Sequence, residues 1–122
     1  MSESELMEVA QAVWANAIAI GAIFITILSG YLIVAYTAGA AMNSSQIRIV
    51  NSLYIALNLF LIGSFLGFAI NAAELESLAI DMSTQRKVFP LPYFSYGFSV
   101  VFLFCHVASL KFMNDVRPKG NE

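Results

Sequence analysis

Apolar residues run along this chain in three unbroken stretches, Ala17–Tyr36, Leu53–Ala72 and Tyr93–Leu110, with the polar residues gathered between them. The first two stretches hold no ionic side chain, and the third holds one histidine, His106. At ~1.5 Å per helical residue, a stretch of about twenty residues reaches ~30 Å, the thickness of a bilayer's hydrocarbon core. None of the three shows the alternation of apolar and polar positions that a membrane barrel strand requires. The pattern predicts an all-α, polytopic membrane protein. Its three transmembrane helices cover about 15–38, 47–73 and 91–111, in an up-down-up bundle that makes 1–122 a single domain.

Local signals refine the boundaries. No proline or turn cluster interrupts the first helix between Glu5 and Met42. Asn43 and Gln46 have the spacing of a capping box, which starts the second helix near Ser44. Pro90 and Pro92 suit the first turn of the third helix and not its interior. Trp14, Tyr36, Tyr93 and Tyr96 fall at span ends, where aromatic belts form, and the stem of Lys111 can carry its ammonium out to water. Beyond the second span, residues 73–82 (AELESLAIDM) keep apolar positions at helical spacing, which fits either an extension of that helix or a separate interfacial one. Ala38-Gly39-Ala40 resembles a signal-peptide cleavage site. The segment before the first run is acidic, however, and the run is longer than a signal peptide's apolar core, so all three spans are expected to be kept.

Composition strengthens this picture. Hydrophobic residues make up 59% of the chain and charged ones 11%, with a mean hydropathy of +0.75. Soluble domains carry about 25% charged residues, so a soluble enzyme is excluded. A net charge of −2 provides no basic field for nucleic acid. Every Asp, Glu, Lys and Arg lies outside the three runs. Arg48, Lys111, Arg117 and Lys119 flank one side of the membrane, and Arg86 and Lys87 the other. The positive-inside rule then predicts a plasma membrane protein (inner membrane in a bacterium) with its N-terminus outside and its C-terminus cytoplasmic.

Small and polar residues mark where helices meet in lipid. On the first span, Ala19, Ala22, Thr26, Ser29, Ile33, Thr37 and Ala40 share a face at 100° per residue and predict a contact stripe. The second span has two adhesive faces. Gly63 and Gly67 form a GxxxG pair that continues to Asn71, and the opposite side carries Asn51, Tyr54 and Asn58. The third span aligns Ser95, Ser99, His106 and Ser109. One of the second span's faces must close the bundle, leaving the other for a second copy or a membrane-protein partner.

His106 is the one ionisable group well inside a span, which makes it the candidate cofactor-binding residue. Its alternative role is structural, a neutral imidazole hydrogen-bonded to Asn51 or Tyr54, with Ser29 or Thr37 as further candidates. The neighbouring Cys105 points about 100° away, so the two form no metal pair. The sequence has no nucleophile with a matched base, no phosphate-binding glycine loop and no carboxylate within a span. Neither catalysis nor a bound cofactor is expected. The leading expectation is an accessory, assembly or interaction subunit that works through helix packing, in contact with membrane lipid and a like or unlike membrane partner. An oligomeric pore is the second reading. The layout resembles one class of phage holin, although the strongly charged C-terminal tail expected there is replaced by a mixed one. A quinone- or haem-contacting anchor using His106 is the third, similar only in size to three-span anchors of respiratory complexes; haem bound by two histidines within this chain would need a second one.

Overall fold

The first helix begins where the chain can satisfy its own free amides. Ser2 Oγ accepts the Glu5 N–H at 3.3 Å, and the Glu5 carboxylate accepts the Ser2 N–H at 2.6 Å, a reciprocal capping box. Hydrogen bonds from Ser2 to the carboxylate, its amide first and its hydroxyl second, hold the Glu5 carboxyl below its ordinary range. In the computed structural model, which describes residues 1–82 and 91–118, α1 then runs unbroken over Glu3–Ala38. It ends at Gly39, where a Cβ would run into the Ala35 carbonyl and press on Val116 Cγ2 at 3.0 Å. The absence of a side chain there lets the end of α3 approach.

α2 spans Ser44–Met82. It starts at the predicted residue and by the predicted device. Asn43 Oδ1 accepts the Gln46 N–H at 2.9 Å, and Gln46 Oε1 accepts the Asn43 N–H at 3.0 Å. The stretch after the second apolar run continues this helix and is no separate element, since no breaker separates them and Ala72, Ala73 and Ala79 are buried. α3 covers Leu91–Asp115. The capping proline Pro90, and Arg86, Lys87 and Lys119 of the charge count, lie outside the described residues.

All three helices are long and apolar enough to cross a membrane, so the chain is a multi-pass membrane protein with three transmembrane helices. Two cross-helix bonds define the up-down-up order. Trp14 Nε1 donates to Glu76 Oε1 at 3.1 Å, joining the first half of α1 to the last turns of α2. Arg117 Nη2 donates to Ser44 Oγ at 3.3 Å, joining the end of α3 to the start of α2. With 36 residues in α1 and 39 in α2, the helices are about 54 and 58 Å long. That exceeds the ~30 Å hydrocarbon core. Beyond the Trp14–Glu76 pair, α1 therefore continues for about three helical turns and α2 for under two, with Leu6 and Ala10 still buried.

The closing faces follow a seven-residue rhythm. Ala10, Ala17, Phe24 and Tyr31 are buried on α1, and Ile47, Tyr54 and Leu61 together with Asn58, Phe65, Ala72 and Ala79 on α2. On α3 the buried positions are Ser95, Phe102 and Ser109, with His106 and Met113. A repeat of seven keeps one face of a helix turned toward its neighbours over many turns. Small residues on α1 make room for rings from the other two helices. Phe24 stacks on Phe102 with centroids 4.6 Å apart, Phe65 meets Phe102 edge-on at 5.1 Å, and Gly21 lies under the Phe102 ring.

This corrects the face expected for α1. Ala19, Ala22, Thr26, Ser29, Ile33, Thr37 and Ala40 are all exposed, on the outside of the bundle. Their hydroxyls do not need another helix. Thr26, Ser29 and Thr37 donate to the carbonyls of Ala22, Ile25 and Ile33 at 2.9, 2.8 and 2.7 Å, within α1 itself. A Ser or Thr bonded back to its own turn can face lipid without an orphaned donor.

Candidate functional site

A polar seam crosses all three helices in the half of the membrane nearer the α1–α2 turn. Tyr31 O–H of α1 donates to Asn51 Oδ1 of α2 at 2.7 Å. The Tyr31 and Tyr54 rings stack nearly parallel, with centroids 3.8 Å apart at 8°. Tyr54 Oη and Ser109 Oγ are 2.7 Å apart, and Ser109 Oγ donates to the His106 carbonyl, also at 2.7 Å. A serine hydroxyl has a single proton. With that proton directed to the carbonyl, Tyr54 is the donor to Ser109.

His106 closes the seam. Its Nδ1 lies 3.2 Å from Asn58 Nδ2, and its ring tilts over Tyr54 at 4.8 Å. With the amide donating to Nδ1, the ring proton belongs on Nε2 and the imidazole is neutral. Asn58 Oδ1 is then buried without a partner. His106 is 4% exposed and Asn58 0%, so the pair sits inside the bundle. The bond expected from His106 to Asn51 or Tyr54 is therefore made by Asn58 instead. Asn51 and Asn58 share a face of α2 two turns apart, and the axial offset between α2 and α3 brings the deeper one level with the imidazole. Ser29 and Thr37 take no part, being bonded to their own helix.

The other residues singled out from the sequence divide between inside and outside. Ser95 is 1% exposed, and its Oγ is buried without a partner on the wall of an apolar cleft of about 530 Å³ between α1 and α3. Ser99 is half-buried and donates to the Ser95 carbonyl at 2.9 Å. Gly63, Gly67 and Asn71 lie on the uncovered side of α2, where a Cβ on either glycine would meet nothing within 4 Å. Among the cross-helix bonds that the sequence did not predict are Tyr31–Asn51 and Trp14–Glu76. Tyr31 had a signal, its seven-residue spacing from Phe24 and Ala17. Glu76 had none, because its pairing depends on how far α2 extends. Its second oxygen, Oε2, is buried without a partner.

Chemically, the seam is suited to holding helices in register. Apart from Asn58 Oδ1, its bonded donors and acceptors are spent on one another, and among the described residues no group of three His, Cys, Asp or Glu could hold a metal ion. Asn58→Leu leaves His106 Nδ1 unpaired, and His106→Leu leaves the Asn58 amide unpaired, so the costs of the two single changes are expected to sum to more than the cost of the double change. The coupling should be about 0.6 kcal/mol and at most ~1.7, the range of interhelical hydrogen bonds in bilayers. Unfolding free energies of the four proteins in detergent or bicelles measure it, and additive costs would show that the two side chains do not interact.

The chain matches no protein-family model, no curated protein and no solved structure. What it does has to be read from its own residues.

Proposed function

We propose that this protein is an accessory or assembly subunit of the membrane, which binds another membrane helix through the outer face of α2. The observation that carries this reading is the line Gly63, Gly67 and Asn71, one above another at i, i+4 and i+8 and uncovered by the rest of the chain. Glycines at this spacing let a second backbone approach closely, which is how helices gain dispersion contacts in a solvent as apolar as themselves. Asn71 adds a polar requirement. It lies five residues, about 7 to 8 Å, inward of Glu76, which pairs with the boundary residue Trp14. Unlike the hydroxyls of α1, its amide has no bond within its own helix or to any other described residue. An amide at that depth is costly toward lipid and favourable against a partner helix. His106 and its neighbours serve in this reading as internal fastening.

The four basic residues at the α1–α2 turn and C-terminal end, against two on the other face, support a plasma membrane location with the C-terminus cytoplasmic. Purification in mild detergent, with mass and co-purifying chains read from the same sample, tests the proposal. The wild type should run as a complex. Gly63→Leu and Gly67→Leu, whose side chains enter open space and so leave the bundle intact, should weaken association at least tenfold, or ~1.4 kcal/mol. A wild-type protein that stays a lone monomer with no crosslinked partner would overturn the reading.

A further inference from the structure

On the membrane face opposite the Trp14–Glu76 pair, the first turns of α2 and the end of α3 enclose a pocket of about 460 Å³. Its apolar lining is Ile47 and Met113, which are 6% and 0% exposed. Its polar lining is Arg48, Arg117, Asn51, Asn114 and Ser44, and no carboxylate. The first turn of α2 has no acidic residue either, so the positive end of that helix's dipole is left uncompensated beside two guanidinium groups.

The donors here are largely unspent. Arg117 is drawn over the start of α2 by its 3.3 Å bond to Ser44 Oγ, which uses one of its five N–H groups. Asn51 lines the pocket, and its Oδ1 is taken by the Tyr31 hydroxyl, leaving its amide N–H groups free to donate. Arg48 is exposed and meets no described partner. A concave site with two planar cations, amide donors and no internal anion calls for a ligand rich in acceptor oxygens, and the guanidinium fork matches phosphate in geometry as well as in charge.

Depth narrows the source. Arg48 lies at the edge of the second span, five residues before Leu53, where the unbroken apolar run begins, hence about 7 to 8 Å outward of that run. Lipid phosphates lie at that level. We propose that the pocket binds the phosphate of an anionic phospholipid headgroup, with Arg48 and Arg117 as the two clamping cations.

The full chain in detergent, titrated separately with phosphatidylglycerol, phosphatidylcholine and inorganic phosphate, tests this by native mass spectrometry and thermal shift. The wild type should retain phosphatidylglycerol at least tenfold better than phosphatidylcholine. Arg48→Gln, an exposed change outside the packed core, should cut that preference several-fold, and Arg48→Gln with Arg117→Gln should abolish it. Lys111→Gln, a basic residue on the same membrane face but outside the pocket, should leave it unchanged. Equal retention of the two lipids, or as large a loss with Lys111→Gln as with Arg48→Gln, overturns the proposal in favour of diffuse surface charge. Inorganic phosphate that binds without lipid, and loses binding in the same arginine variants, would overturn the headgroup assignment and make the site one for a free anion.

Discussion

Phe24→Ala is expected to be among the most damaging single truncations in the bundle. Phe24 is 1% exposed, stacks on Phe102 at 4.6 Å and belongs to the cluster built from Ala17, Leu61, Phe65, Ala69 and Phe102. In soluble proteins a buried Phe→Ala change costs about 3–5 kcal/mol, the sum of a transfer term and a cavity term. The transfer term shrinks here, because the separated helices would still lie in hydrocarbon. The cavity term persists: at ~24 cal/mol per Å³, a void of roughly 100 Å³ costs about 2 kcal/mol. Loss of the ring pair adds about 0.5–1.5 kcal/mol. Phe24→Ala should therefore cost about 3 kcal/mol in a reversible unfolding measurement in bicelles. Ile25→Ala, one residue along and 56% exposed, should cost under ~0.5 kcal/mol. Equal effects at the two positions would mean that this face of α1 does not close the bundle.

Tyr54 supports the second large prediction, since one ring does three things. It stacks on Tyr31 at 3.8 Å, lies under His106 at 4.8 Å and donates to Ser109. Tyr54→Phe keeps both ring contacts and removes the hydroxyl, so it is expected to cost about 1 kcal/mol. Tyr54→Ala loses two ring contacts worth about 0.5–1.5 kcal/mol each. It also opens a cavity beside Asn58 and His106, for a total of about 3 kcal/mol. Thermal unfolding of the three proteins in the same detergent would separate the contributions. A Tyr54→Phe protein as unstable as Tyr54→Ala would assign the stability to the hydroxyl and not to the stacked rings.

The three membrane-length helices and the start of α2 were legible because their causes are local. Asn43 and Gln46 are three residues apart and need only each other's backbone, and an apolar stretch of membrane length announces itself. The packing face of α1 was harder to read. Ala10, Ala17, Phe24 and Tyr31 were visible at seven-residue spacing, but so was the stripe from Ala19 to Ala40, and the second matched the small-residue rule better. What separates them is the partner: Gly21 packs beneath Phe102, whereas Thr26, Ser29 and Thr37 satisfy their hydroxyls within α1. The inward face of α3 was legible from Ser95, His106 and Ser109, because polar groups in a span avoid lipid. Which asparagine would meet His106 was not, since Asn51 and Asn58 lie on one face and differ only in depth.

The sequence by itself determined that this chain lies in a membrane and that it crosses as three helices. Hydrocarbon offers no partner to a peptide group, so each span must satisfy its own backbone, and helicity there is a property of the segment alone. The tertiary structure alone decided which helix faces close on one another, that Asn58 takes His106, that α2's glycine face stays open, and that Arg48 and Arg117 meet over one pocket. Lipid is as apolar as leucine, so burial against a neighbouring helix leaves no imprint on hydrophobicity. Only the matching of small residues to rings, and of donors to acceptors across the whole bundle, selects the arrangement.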